Sequence, residues 1–148
     1  MMQELDPGEL FQSVQSALER MCFVFAELLE DDSPEGLDKH VALQLEAEGE
    51  VAKIFLSSDD DFLIELASSI LGSEPDEVDP ETDGIEALKE IINVCGGELN
   101  RLLGGEDRRI ATGLPMAIVE VPDIADMEAT FDSMGSCFRI RVLRLQTD

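Results

Sequence analysis

Apolar positions recur along this chain in two rhythms. From Asp6–Pro7, which suits a helix start with Asp as cap and Pro in the first turn, Leu10, Val14, Ala17, Met21, Val24 and Leu28 keep three- and four-residue spacing. That spacing predicts a helix over 8–30. Asp31 to Gly36, DDSPEG, breaks it and reads as a loop. Val41, Leu43 and Leu45 then alternate with Ala42, Gln44 and Glu46, as in a half-buried strand, and Val51 to Leu56 returns after a turn at Gly49. Ser58 or Asp59 can cap a second helix through Phe62, Leu63, Leu66 and Ile70, closed by Gly72. The charged, proline-punctuated run Glu74–Asp83 reads as a surface connector.

The longest helical pattern is Gly84 to Gly105, GIEALKEIINVCGGELNRLLGG, a helix predicted over 84–104. Ile85, Leu88, Ile92, Cys95, Leu99 and Leu102 share one face. Beyond it, Arg109–Leu114 and Met116–Val121 read as extended and are interrupted by Pro115, which lacks a ladder donor. Pro122–Gly135 reads as a long polar connection with a helical turn near Met127, and Cys137–Leu145 as the closing strand. The pattern as a whole predicts an α+β domain spanning 1–148, with a mostly antiparallel sheet of five or six strands and two long helices packed side by side across it.

The outer face of the 84–104 helix is the unusual one. Glu86, Glu90, Asn93, Gly97 and Asn100 follow one another at helical spacing. Asn costs up to roughly 0.7 kcal/mol in a helix interior and Gly about 1 kcal/mol, relative to Ala. A helix that gives up stability on its exposed side is most often doing so at a functional surface. Glu90 and Asn93 are therefore the candidate site, although a Glu–x–x–Asn pair alone is ordinary solvated decoration. Gly96–Gly97 fits a partner's close approach, tight helix packing or a weakened turn equally well.

Composition narrows the chemistry. With 34 acidic against 10 basic residues the net charge is −24, which repels phosphate backbones and anionic lipid and disfavours nucleic-acid or membrane partners. Seven of the ten cations are Arg, five of them between Arg108 and Arg144, either as a basic strip or as partners for neighbouring carboxylates. Cys22, Cys95 and Cys137 are widely spaced among apolar neighbours and form no CxxC pair, which agrees with buried, reduced thiols. One histidine, His40, supplies neither a zinc ligand set nor a His-based triad. Asp59–Asp61 and Glu74–Glu77 lack the spacing of a calcium loop. No cofactor is expected on the chain. No apolar run is long enough to cross a bilayer, and the acidic N-terminus lacks the order of a signal peptide, so a cytoplasmic location is expected.

Shifting the sequence by about 71 positions lays Val14, Ala17 and Met21 on Ile85, Leu88 and Ile92, and Glu19 on Glu90. Any two amphipathic helices can be slid into such agreement. Extended segments nevertheless follow both helices at about half-chain spacing, which suggests an internal pseudo-duplication. In that register Cys22 takes the place of Asn93.

Glu86, Glu90, Asn93 and Pro115, with the GGELN and TGLP strings around them, resemble the CheC/CheX/FliY chemotaxis phosphatases, and the CheX branch in particular. That family carries an acidic or serine position, a Glu four residues on, an Asn three further, and a later proline. Here Glu86 stands where Asp or Ser is usual, and the Asn-to-Pro gap is about one residue short. The resemblance implies a CheC-like fold, a homodimer formed through the sheet, and hydrolysis of the phosphoaspartate on a CheY-like receiver domain that carries its own Mg²⁺. It implies catalytic roles for Glu90 and Asn93, and partner contacts from Glu86, Gly96, Gly97 and Asn100. The alternative is a non-catalytic receiver-binding or scaffold module of the same fold.

Overall fold

The computed structural model describes residues 3–30, 36–104 and 110–147. Its elements are α1 (Pro7–Cys22), β1 (Glu27–Leu29), β2 (Lys39–Ala47), β3 (Glu50–Ser58), α2 (Asp60–Leu71), α3 (Ile85–Gly104), β4 (Ala111–Thr112), β5 (Met116–Ile118), β6 (Met127–Ser133) and β7 (Ser136–Gln146). The strands form one 7-stranded sheet, ordered β1-β6-β7-β3-β2-β4 with β5 also on β2, and every pairing is antiparallel.

The order is nearly palindromic. Hairpins β2–β3 and β6–β7 meet at the centre, where Ile54 lies opposite Val142. The strand following α1 pairs outside the second hairpin, and the strands following α3 pair outside the first. Each half thus edges the other half's hairpin, which is the arrangement an internal pseudo-duplication would give.

One sheet face is covered by helices. Leu10, Val14, Ala17 and Leu18 of α1, with Leu88, Ile91, Ile92, Cys95 and Leu99 of α3, bury against Leu43, Leu45, Ile54, Leu56, Ile140 and Val142. Four rings tie the helices to β6 and β7: Phe131 stacks on Phe138 at 5.1 Å, Phe11 meets Phe131 edge-on at 6.2 Å, and Phe62 lies 4.8 Å from Phe138. Asp59 fastens α2 to the sheet, accepting from the Phe62 N–H at 2.8 Å and the Cys137 N–H at 3.1 Å.

The other face carries Arg139 and Arg141, while Arg144 follows Val142 on the helix side at the far end of β7, and the structure decides their use. Arg141 Nε lies 2.7 Å from Glu128 Oε1, Arg139 Nε 3.3 Å from the same oxygen, and Arg144 Nη2 3.3 Å from Glu50. They neutralise neighbouring carboxylates. The Arg141 guanidinium also donates to the Pro122 carbonyl at 2.9 Å, so the β5–β6 connection crosses the face away from the helices.

Three expectations need correction. The first helix ends at Cys22 and not at 30: Phe23 turns left-handed (φ 56), the Val24 N–H caps the Leu18 carbonyl at 3.1 Å, and β1 follows. Residues 127–133 form a strand, not a helical turn, because the backbone of β6 is claimed along its length by β7. The sheet has 7 strands and not five or six, since β1 and β6 join it. The proposed 31–36 loop lies mostly outside the described residues, as do Gly105 and Arg109. Among the described residues, no helix is long and apolar enough to cross a membrane.

Candidate functional site

Helix α3 is placed by two close approaches. A Cβ built on Gly84 would meet Leu63 Cβ at 2.9 Å, so the helix begins tight against α2. A Cβ on Gly96 would meet Leu43 Cδ2 at 2.1 Å, so its middle is seated on β2. The opposite side is left to solvent, with Glu86, Glu90, Asn93 and Gly97 all exposed.

The six residues singled out from sequence therefore divide. Glu90 and Asn93 are exposed one turn apart on α3, and no hydrogen bond or ion pair within the described residues engages either side chain. Glu86 stands a turn earlier and is paired with Lys89 at 3.3 Å. Gly97 is open, and a methyl group added there would find nothing within 4 Å.

Gly96 is not on this surface. It is buried, and it is glycine because Leu43 leaves no room for a side chain. Asn100 is also used internally: its Nδ2 donates to the Ile110 carbonyl at 3.1 Å and to Thr112 Oγ1 at 2.9 Å, which fixes the approach to β4. Gly96 is thus closed to a partner, while half-exposed Asn100 has its amide N–H groups already engaged within the chain. The spacing already held the signal for Gly96, which falls four residues after buried Ile92 and three before buried Leu99.

Beside Glu90 lies a groove of about 600 Å³ lined by Met21, Cys22, Ile70, Leu71, Ala87 and Val94, with Asp83, Glu86 and Glu90 at its polar margin. The sequence pattern assigned Met21 to the buried stripe of α1; it is 62% exposed, because the helix ends one residue later. Burial, aided by the negative charge of Glu90, pushes the Cys22 thiol upward in pKa. Cys95, wholly buried beneath, is pushed up much further for the same reason. Both are therefore thiols at neutral pH and poor nucleophiles.

On the far side of α3, Glu98 locks the two long helices together. It accepts from Ser13 Oγ at 2.8 Å and from Arg101 Nη2 at 2.9 Å, with Arg20 at 3.7 Å. Burial raises its pKa, but the hydrogen bonds from Ser13 and Arg101 and the two guanidinium charges outweigh that, and the net shift is downward. Among the described residues, no cluster of three or more His, Cys, Asp and Glu is arranged to hold a metal ion.

The comparisons with solved structures follow this geometry. The chemotaxis protein CheX from Vibrio vulnificus superposes with a TM-score of 0.75 at 13% identity, over 93% of this chain and 95% of that one. The CheX of the CheX–CheY–BeF3–Mg²⁺ complex from Borrelia burgdorferi gives 0.75 at 15%, over 97% and 100%. This chain has the CheC/CheX fold. A looser likeness extends to FliY of Thermotoga maritima, with a TM-score of 0.51 at 15% identity over 94% and 92%. No family model matches the sequence, and no curated protein matches it. At such identities the CheC/CheX likeness is one of backbone, and the roles of Glu90 and Asn93 rest on their own placement.

Proposed function

We propose that this chain is a phosphatase that removes the phosphoryl group from the phosphoaspartate of a CheY-like receiver domain. The observation that carries the reading is the pair Glu90 and Asn93, exposed on α3 with uncommitted side chains, on a fold shared with a CheX solved in complex with CheY. The contrast with Asn100, whose amide holds its own chain together, makes the freedom of Asn93 informative.

The chemistry suits these residues. An acyl phosphate is already activated, so catalysis requires a water held in line with phosphorus and stabilisation of the charge that spreads over the phosphoryl oxygens. The Asn93 carboxamide oxygen can accept an O–H from that water and aim its lone pair at phosphorus. Glu90, on the same exposed side, can hold a cationic side chain of the receiver and so fix the helix over the phosphoryl group. The receiver brings the Mg²⁺ with its acyl phosphate; the chain itself supplies positioning. Gly97 leaves bare backbone beside the pair, where a partner loop can approach closely.

A homodimer formed through the sheet and a cytoplasmic location belong to the same reading. The outer edge strand β1 and its approach carry exposed Phe25 and Leu28, which fits such an interface. The test is phosphate release from a phosphorylated receiver with and without the protein. Acceleration supports the phosphatase, whereas binding of the phosphorylated receiver without acceleration assigns the surface to a non-catalytic module.

A further inference from the structure

The only two non-glycine residues with positive φ among those described are Phe23 (φ 56) and Met134 (φ 53). A bulky side chain in the left-handed region is strained, and glycine or asparagine is the ordinary choice there. Phe23 occupies the left-handed cap of α1. Met134 precedes Gly135 (φ 94) in the two-residue turn joining β6 to β7, where Asn–Gly is favoured. Neither side chain repays the strain by burial: Phe23 is 78% exposed and Met134 86%.

Both side chains line one groove of about 290 Å³, together with Phe62, Leu66 and Glu65. Cys22 lines this groove and also the one beside Glu90. With exposed Met21, Ile70 and Leu71 the two grooves make one apolar surface running up to the Glu90–Asn93 face. Its acidic margin holds Glu65, Asp83, Glu86 and Glu90. Lys89, one turn from Glu86, is already paired with it.

We infer that this surface is a second docking site for the receiver, recognising a helix or loop whose apolar side chains are flanked by lysine or arginine. The inference rests on the proposed function and names how the substrate is held apart from its phosphoryl group. Aromatic and methionine side chains are the usual anchors of an interface core, and methionine adapts to an imperfectly matched partner. The acidic margin selects a cation-flanked partner and speeds its encounter. Continuity with the face bearing Asn93 lets one partner touch both.

The test exploits the strain. A Phe23→Asn/Met134→Asn double variant places a residue that tolerates the left-handed region at both positions, so its thermal midpoint should equal or exceed that of the parent. Turnover is followed on a CheY-type receiver phosphorylated by acetyl phosphate, and binding on the same receiver carrying beryllofluoride. The double variant should raise KM and Kd at least 30-fold while kcat changes less than twofold, and the parent's KM should climb with salt. Asn93→Ala should do the reverse, lowering kcat with KM held. An unchanged KM and Kd in the double variant overturns the docking site, and the proposed function survives if Asn93→Ala still loses turnover. A parent chain that dephosphorylates no receiver removes the proposed function, and the Kd values then decide the docking site alone. A self-association in sedimentation that the double variant abolishes, with receiver Kd unmoved, gives the surface to a second copy and overturns the inference.

Discussion

Gly96 and Gly97 are neighbours of identical chemistry whose replacement by alanine should have opposite effects. At Gly97 an added methyl meets nothing within 4 Å and the site is exposed, so Gly97→Ala gains the helix-propensity difference of about 1 kcal/mol. At Gly96 the methyl would lie 2.1 Å from Leu43 Cδ2, where carbon–carbon contact needs about 3.5–4.0 Å. Leu43 is 2% exposed and belongs to the core cluster, so its side chain can shift only against packed neighbours. An overlap of that depth belongs at the upper end of overpacking costs, about 3 kcal/mol, against the same propensity gain of about 1 kcal/mol. The net expectation is a loss of about 2 kcal/mol for Gly96→Ala. At about 3 °C per kcal/mol for a chain of this size, the melting midpoints should part by roughly 9 °C. Thermal and guanidinium unfolding of the two variants provides the assay. Equal shifts in the same direction would refute the seating of α3 on β2, and with it the outward placement of Glu90 and Asn93.

Three further outcomes are expected. Asp59→Ala removes the cap of α2 and its bond to the Cys137 N–H, and should cost about 1–3 kcal/mol in chemical denaturation, more than a cap alone. Glu98 has its folded pKa below the ordinary glutamate value, so its contribution to stability is present above that value and lost as pH falls through the folded pKa; the stability of Glu98→Gln should fall less steeply than the parent's on acidification below about pH 4.5. In native protein, iodoacetamide should label the half-buried Cys22 before the wholly buried Cys95, which should react only on unfolding, as peptide mapping would show.

The sequence made α3 legible because its apolar spacing persists over five turns and glycines bracket it. The β2–β3 hairpin and α2 were legible through alternation around Gly49, the Asp59 cap and Gly72. The end of α1 was not, because its left-handed cap is a phenylalanine inside an apolar run, where a glycine would have announced it. β6 was hidden by its polar composition: Thr130 is 7% exposed and accepts a hydrogen bond from Arg139, so a polar residue occupies a covered position. Within the site, helical period alone placed Glu90 and Asn93 outward. The same period put Asn100 on that side, and only the tertiary path of residues 110–112 shows its amide to be engaged within the chain. The apolar grooves were out of reach, since they are assembled from the ends of α1 and α2 and the turn before β7.

The central claim concerns one carboxamide. Single-turnover decay of a phosphorylated receiver, saturated in turn with the parent chain and with Asn93→Ala, measures its contribution directly. If the amide positions the attacking water, the substitution should slow the stimulated decay about 100-fold, comparable to removing one oriented donor from an oxyanion site, while the variant still binds the beryllofluoride-loaded receiver as tightly as the parent. Undiminished decay with the alanine in place would contradict the account.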